Sequence, residues 1–328
     1  MTSEPVFVGV DIGGTKTAVV AGGPQGGARW RVELPTVGPT GPREPRELLD
    51  AVLAEVRRRE PVVTATGVSC GGPLDEAAGV VLCPPNLPAW REVPVTRWLT
   101  EGLGAPAFLE NDANACAVAE WREGAGKGAS SVVFLTFGTG LGAGIVLGGR
   151  LWRGANGMAG ELGHWRLSED GPVGYGKAGS FEGWCSGGGL AQQIASHRVE
   201  LTQRGELGTG RSPTSPWSTL TDVKGLGAAA EAGDPGARAL LERTGVRLGR
   251  GLALLVDLLN PEVVVLGSIF VRLERWLRPS LEAELGREAL GRSVSACRVV
   301  AAGLGEELGD RAALWAARLG WETQGGQR

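Results

Sequence analysis

Directly behind the apolar run Val6-Phe7-Val8-Gly9-Val10 stand Asp11-Ile12-Gly13-Gly14-Thr15-Lys16-Thr17-Ala18. A short strand would deliver the Asp11 carboxylate to its carboxyl end, where it can face a metal ion or a phosphate. Gly13 and Gly14 remove the side chains that would hold a polyphosphate away from the backbone amides, and Thr15 adds a hydroxyl donor, with the Lys16 cation beside it. The spacing is neither the G-x-x-x-x-G-K-[ST] of a Walker loop nor a G-x-G-x-x-G ahead of a helix. On their own, the same residues also describe a tight hairpin turn.

A second glycine turn between apolar runs, Thr136-Phe137-Gly138-Thr139-Gly140-Leu141-Gly142-Ala143-Gly144, repeats the first in kind. Two such turns suit two phosphate-cradling hairpins, and the strand Val263 to Leu266 ending in Gly267-Ser268 would suit the floor under an adenine ring. Glu110-Asn111-Asp112 ends another short strand, Ala107 to Leu109, and the good helix former Ala113 to Trp121 follows, with Asn111 or Asp112 at its N-cap.

This set resembles the actin, hexokinase and Hsp70 ATPase superfamily. The resemblance implies an α/β, two-domain actin-like ATPase (ribonuclease H-like) fold with a nucleotide and sugar cleft between the domains. The pairing of Glu110-Asn111-Asp112-Ala113-Asn114-Ala115 with Gly160-Glu161-Leu162-Gly163-His164 resembles the ROK family of sugar kinases, in its glucokinase-like branch, and the likeness runs from Val8 to about Leu319. By that resemblance Asp112 is the general base. Its place at a strand end and helix start lets a carboxylate take the proton of a sugar hydroxyl as that hydroxyl attacks the γ-phosphate. Asn111, Glu161 and His164 would hold sugar hydroxyls, Glu182 matches a further carboxylate ligand of the ring, and Asn86 in Pro85-Asn86-Leu87-Pro88-Ala89-Trp90 resembles the family's sugar-domain loop. Taken singly, Asp112 is also an N-cap and His164 a structural residue; the joint pattern carries the assignment. ATP with Mg²⁺ is the implied donor, gripped by Asp11, Gly13, Gly14, Thr15, Lys16, Gly138, Thr139, Gly140 and Gly267.

One departure stands out. ROK proteins commonly carry G-x-x-C-x-C-G-x-x-G-C-x-E after the histidine, and these cysteines with that histidine hold a structural zinc. Here the run is Gly171-Pro172-Val173-Gly174-Tyr175-Gly176-Lys177-Ala178-Gly179-Ser180-Phe181-Glu182, so Val173, Tyr175 and Ser180 replace the thiolates. Zinc needs about four N, O or S ligands, and His164 with the distant Cys185 does not supply them. No zinc is expected, and Tyr175, Phe181 and Trp184 are expected to pack as a small aromatic cluster.

Composition narrows the field. A length of 328 residues allows about two domains and a sizeable core, and 42% hydrophobic residues suit a folded chain. A formal net charge of −3 gives no basic footprint, so no nucleic-acid partner is expected. No run approaches the ~18 to 20 apolar residues of a membrane span, and a strand begins almost at once, so the expected location is cytoplasmic without a membrane partner. The five cysteines are odd in number, widely spaced and never C-x-x-C, which suggests neither a disulfide framework nor a cysteine zinc site. The expected partners are a small-molecule sugar and a nucleotide, and a homodimer is one assembly open to such a chain.

The remaining pattern places strands from Val6 to about Leu34, a helix Pro45 to Val56, a strand Thr64 to Val68 and strands Ser131 to Phe137 and Gly142 to Leu147. A surface loop is expected from about Gln203 to Thr221, then a helix from Asp234-Pro235 to Asn260 with a break at Gly245 or Gly249, and a last helix from Asp310. The expected domains are 1–111, joined by the C-terminal helix 310–328, and 112–309. The sequence thus reads as an ATP-dependent kinase of a hexose or hexose derivative, glucose first. Its rivals are a non-catalytic sugar-binding sensor and a regulator of the same family; the regulator would carry a helix-turn-helix ahead of the first motif, where only ten residues precede Asp11.

Overall fold

In the computed structural model, residues 4–23, 27–38, 41–207 and 215–325 are described. The chain divides into two compact units, residues 1–128 with 151–157 and 303–328, and residues 129–150 with 158–302.

The first unit is built on a five-stranded sheet in the order Ala28–Pro35, Lys16–Gly22, Phe7–Ile12, Ala65–Cys70, Ala107–Asn111. The first three strands are antiparallel and the last three parallel. Alternation along Phe7–Ile12 sends successive side chains to opposite faces. Val8, Val10 and Ile12 pack with Leu48, Leu49, Val52 and Val56 of the helix Pro45–Arg59. Phe7 packs instead with Leu314 and Ala317 of the C-terminal helix Leu308–Thr323. Gly9 makes that second contact close, because a Cβ there would lie 2.8 Å from the Leu314 nitrogen.

The helix Asp112–Arg122 also belongs to this unit: its Ala115, Val118 and Ala119 pack on Ala312 and Trp315 of the C-terminal helix. The break expected between 111 and 112 therefore falls inside the first unit, because an alanine-rich face closes there against a helix nearly two hundred residues later. The C-terminal helix is grouped with this unit.

The second unit repeats the plan. Its sheet runs Arg150–Leu151, Leu141–Leu147, Val132–Phe137, Val263–Leu266, Arg298–Ala301, again an antiparallel hairpin extended by parallel strands. Numbered along the chain, both sheets have the order 3-2-1-4-5, and each glycine turn read from the sequence joins strands 1 and 2. Val263–Leu266 is buried throughout, as expected of a central strand covered on both faces.

The helix Pro235–Leu259 is continuous for 25 residues, capped by Asp234 and ended by Asn260 in the left-handed region. The expected break at Gly245 or Gly249 is absent. Instead these glycines admit the neighbouring helix Ile269–Glu288: a Cβ on Gly245 would lie 2.6 Å from the Leu277 carbonyl oxygen and one on Gly249 2.5 Å from that of Leu281. Within the loop expected from Gln203 to Thr221, residues 208–214 lie outside the described residues. The remainder is not all surface, because the short helix Pro216–Ser218 buries Trp217, whose Nε1 donates to Asp234 at 3.1 Å. Among the described residues no helix is long and apolar enough to cross a membrane.

Candidate active site

In the first unit, Asp11 sits at the end of Phe7–Ile12, paired across the hairpin with Ala18. Burial pushes its carboxyl up to about 6; a hydrogen bond from Ser69 opposes this, Asp112 and Asp310 add to it, and Lys16 draws it back. Asp310 lies in the first turn of the C-terminal helix and is held by Arg31 at 2.8 Å. Gly309 stands against Asp11, since a Cβ there would approach Asp11 Oδ2 to 2.6 Å. Nothing in the local sequence singles out Ser69 or Asp310. Asp310 reaches Asp11 only through the placement of a helix at the far end of the chain, so no short-range pattern could have found it.

The other residues of this hairpin behave unequally. A Cβ on Gly14 would lie 2.9 Å from the Asn86 carbonyl oxygen and 3.2 Å from Asn86 Cβ, so the missing side chain seats the Asn86 loop. Gly13 closes the turn by donating to the Lys16 carbonyl at 3.0 Å. Thr15 is exposed, and Lys16 reaches Glu33 on the neighbouring strand at 3.0 Å.

Asp112 is the first residue of its helix, and Asn111 is the N-cap, its side chain accepting from the Ala113 and Asn114 amides at 3.0 and 3.3 Å. Capping uses the Asn111 oxygen and leaves its Nδ2 near Gly72. Asp112 Oδ1 shares the Ala113 amide at 2.8 Å, and the residue remains partly exposed. Burial raises its pKa from the ordinary value, against hydrogen bonds from the Ala113 and Asp112 backbone. A Cβ on Gly71 would lie 3.7 Å from Asp112 Oδ2 and 3.9 Å from Asn86 Oδ1. The structure thus brings Asn86, Asn111 and Asp112 together around Gly71-Gly72, a bare stretch of backbone that leaves room beside the carboxylate.

In the second unit, the Gly138-Thr139-Gly140 turn is anchored from below. Gly187 and Gly188, opening the helix Gly187–Gln203, donate to the carbonyls of Gly138 and Thr139 at 2.7 and 3.1 Å. Space beside Gly138 is open to 4 Å around a Cβ position. Glu182 Oε2 accepts the Leu141 amide at 2.9 Å, so this carboxylate is tied to the hairpin. Glu161 and His164 flank a short turn, Leu162–His164, that lies on the Leu141–Leu147 strand: the Ala143 amide donates to the Gly160 carbonyl at 3.1 Å. Glu161 is exposed and His164 partly so, with His164 Nε2 4.0 Å from Glu161 Oε2. Gly267 is buried against the Phe134 ring, and the exposed Ser268 after it holds φ at 47°.

The stretch without zinc thiolates is held by other means. Ser180, fully buried, caps the short helix Phe181–Cys185 by accepting from the Gly183 amide at 3.0 Å. Gln192 brackets Val173, accepting from its amide at 2.9 Å and donating to its carbonyl at 2.7 Å. Lys177 Nζ donates to the His164 carbonyl at 2.7 Å. The expected aromatic cluster does not form, because each ring finds another partner. Phe181 stacks on Trp165, Tyr175 meets His164 edge-on at 5.1 Å, and Trp184 donates to Ser168 beneath the Arg247 guanidinium. Among the described residues no three His, Cys, Asp or Glu side chains gather as a metal site.

Comparison with known proteins follows the same line. A glucokinase from Streptomyces coelicolor is 33% identical over 264 residues, covering 80% of this chain and 81% of that protein. A solved ROK hexokinase from Thermus thermophilus superposes with a TM-score of 0.79 at 32% identity, covering 98% of this chain and all of that one. A ROK family glucokinase from Streptomyces griseus, solved in complex with glucose and AMPPNP, superposes with a TM-score of 0.76 at 31% identity over 96% of this chain and 99% of that one. With the ROK family profile matching residues 7–319, and with the duplicated sheets carrying both glycine hairpins, this chain belongs to the ROK family.

Proposed function

We propose that the chain phosphorylates a hexose with ATP, glucose first, and that Asp112 is the general base. One observation carries the reading: a partly exposed carboxylate, Oδ1 accepting from the Ala113 amide and Oδ2 facing the uncovered backbone of Gly71-Gly72. Burial raises its proton affinity above that of an ordinary carboxylate, the direction that suits a general base. Asn86, Asn111, Glu161, His164 and Glu182 would orient sugar hydroxyls. The two glycine hairpins would offer backbone amides to the phosphates.

Asp11 fits a nucleotide-bound Mg²⁺, being a hard oxygen donor whose charge is penalised by burial and by Asp112 and Asp310. When bound, that ion would neutralise charge on the transferring phosphoryl group. Zinc does not fit: Val173 and Tyr175 supply no thiolate, and Ser180 spends its oxygen on a helix cap.

A coupled assay of ADP release across glucose, mannose, N-acetylhexosamines and other hexoses, with ATP and polyphosphate as donors, tests the reading. Turnover with a hexose and ATP supports it. Glucose binding by calorimetry without turnover would favour a sensor instead.

A further inference from the structure

Glu110 precedes Asn111 and Asp112, and its side chain is only 6% exposed. A carboxylate so buried is costly unless paired and fully hydrogen-bonded. It accepts from Arg153 Nη2 at 2.5 Å, from Asn114 Nδ2 at 3.0 Å and from the Asn111 amide at 3.3 Å. These bonds grip the chain on both sides of Asp112, one residue before it and two after. Asn114 is itself 1% exposed, and its Oδ1 has no hydrogen-bond partner among the described residues. Donation to Glu110 is therefore the one polar contact its side chain makes there.

Arg153 belongs to the segment 151–157, which enters the first unit between the second hairpin and the Gly160-Glu161 turn. Its Nε also lies 3.9 Å from Glu76 Oε2, and Gly157 of the same segment faces that carboxylate. Burial, then Glu110, pushes Glu76 up to about 7, and Arg153 pulls it down. One guanidinium thus balances two inward carboxylates, and its planar fork can hold Glu110 in a fixed direction as an ammonium cannot.

We propose that Arg153 is a positioning residue for Asp112, fixing through Glu110 the strand-to-helix junction that aims the base. The proposal rests on the reading of Asp112 given above. Without Arg153 the Glu110 charge would stay buried beside Asn111 with no counter-charge, and would draw the junction toward water. A displacement of about 1 Å at a reacting group costs on the order of a hundredfold in rate.

The test compares kcat, both KM values and thermal unfolding for Arg153→Ala, Arg153→Lys, Glu110→Gln and the double variant Arg153→Ala/Glu110→Gln, with Asp112→Asn alongside. Arg153→Ala should lower kcat about 10- to 100-fold with each KM within about threefold, the split that marks a misaimed base. Arg153→Lys should fall between it and the parent. The double variant should recover most of the loss, because a neutral amide needs no counter-charge yet still accepts from Asn111 and Asn114. Should Arg153→Ala fail to fold, the double variant measured against Arg153→Lys carries the test, and a double variant as impaired as Arg153→Lys or worse overturns the proposal. Arg153→Ala with kcat near the parent, a loss confined to KM, or no recovery in the double variant likewise overturns it. An Asp112→Asn variant with parental kcat removes the base assignment itself, and with it the residue Arg153 would position.

Discussion

Glu182 Oε2 accepts the backbone N–H of Leu141 at 2.9 Å, across 41 residues of sequence. Leu141 closes the Gly138-Thr139-Gly140 turn, while Glu182 is the residue that resembles a sugar ligand. One carboxylate therefore joins a group assigned to sugar with the hairpin assigned to phosphate, and both ends of this contact lie in the second unit.

Replacing Glu182 with Ala should then raise the KM for ATP as well as that for sugar. A lost hydrogen bond to a charged group is worth roughly 1.5 to 3 kcal/mol, or about ten- to a hundredfold in affinity when wholly expressed. Steady-state kinetics varying each substrate decide the matter. A sugar KM that rises while the ATP KM holds would confine Glu182 to sugar.

For the base, Asp112→Asn keeps the shape and removes the proton acceptor, so kcat should drop by at least ~10²-fold. Because burial raises this carboxyl, kcat/KM in the parent should decline on acidification at a pH above the ordinary carboxylate range. Ionised Asp112 is the working form, so activity is present above that pKa and lost below it. A profile flat down to pH 4 would contradict the assignment.

Asp11 offers a stability test with the opposite sign from a salt-bridged carboxylate. Its pKa rises from 3.8 to about 6 on folding, so the native state loses stability as pH climbs between those values and stays penalised above. Asp11→Asn should therefore melt higher than the parent at pH 8, by roughly 1 to 3 kcal/mol, with the gain vanishing near pH 3.5. Its kinase activity should fall over the same comparison. Calorimetry at the two pH values checks this, and an Asn variant less stable at pH 8 would mean that Asp11 makes native contacts worth more than its desolvation.

Elemental analysis of the purified protein should find well under one zinc per chain, and chelation should leave activity intact once Mg²⁺ is restored. What orders the loop is the Ser180 cap and the Gln192 bracket, so Ser180→Ala should cost about 1 kcal/mol of stability, as a lost N-cap does. Stoichiometric zinc, or a Ser180→Ala variant as stable as the parent, would show another arrangement.

Local chemistry makes part of this protein legible in its sequence. Both hairpins follow from glycine turns between apolar runs. The Asn111/Asp112 junction follows from capping, and the helix from Pro45 from its 3.6-residue period; such signals act between near neighbours, so sequence alone carries them. The two candidates for the N-cap are separated only by the structure, which puts the cap on Asn111 and leaves Asp112 partly exposed. Gly245 and Gly249 read as a helix break because glycine weakens an isolated helix, whereas a packed neighbour turns the same absence of a side chain into close approach. Trp217 sits in a run that looks like loop, yet its hydrogen bond to Asp234 closes a buried contact. The pairs Glu182 with Leu141, Arg153 with Glu110, and Asp310 beside Asp11 span 41, 43 and roughly three hundred residues. Each depends on where whole strands and helices come to rest, and burial then sets the charge state of the carboxylates gathered there, so only the tertiary structure could decide them.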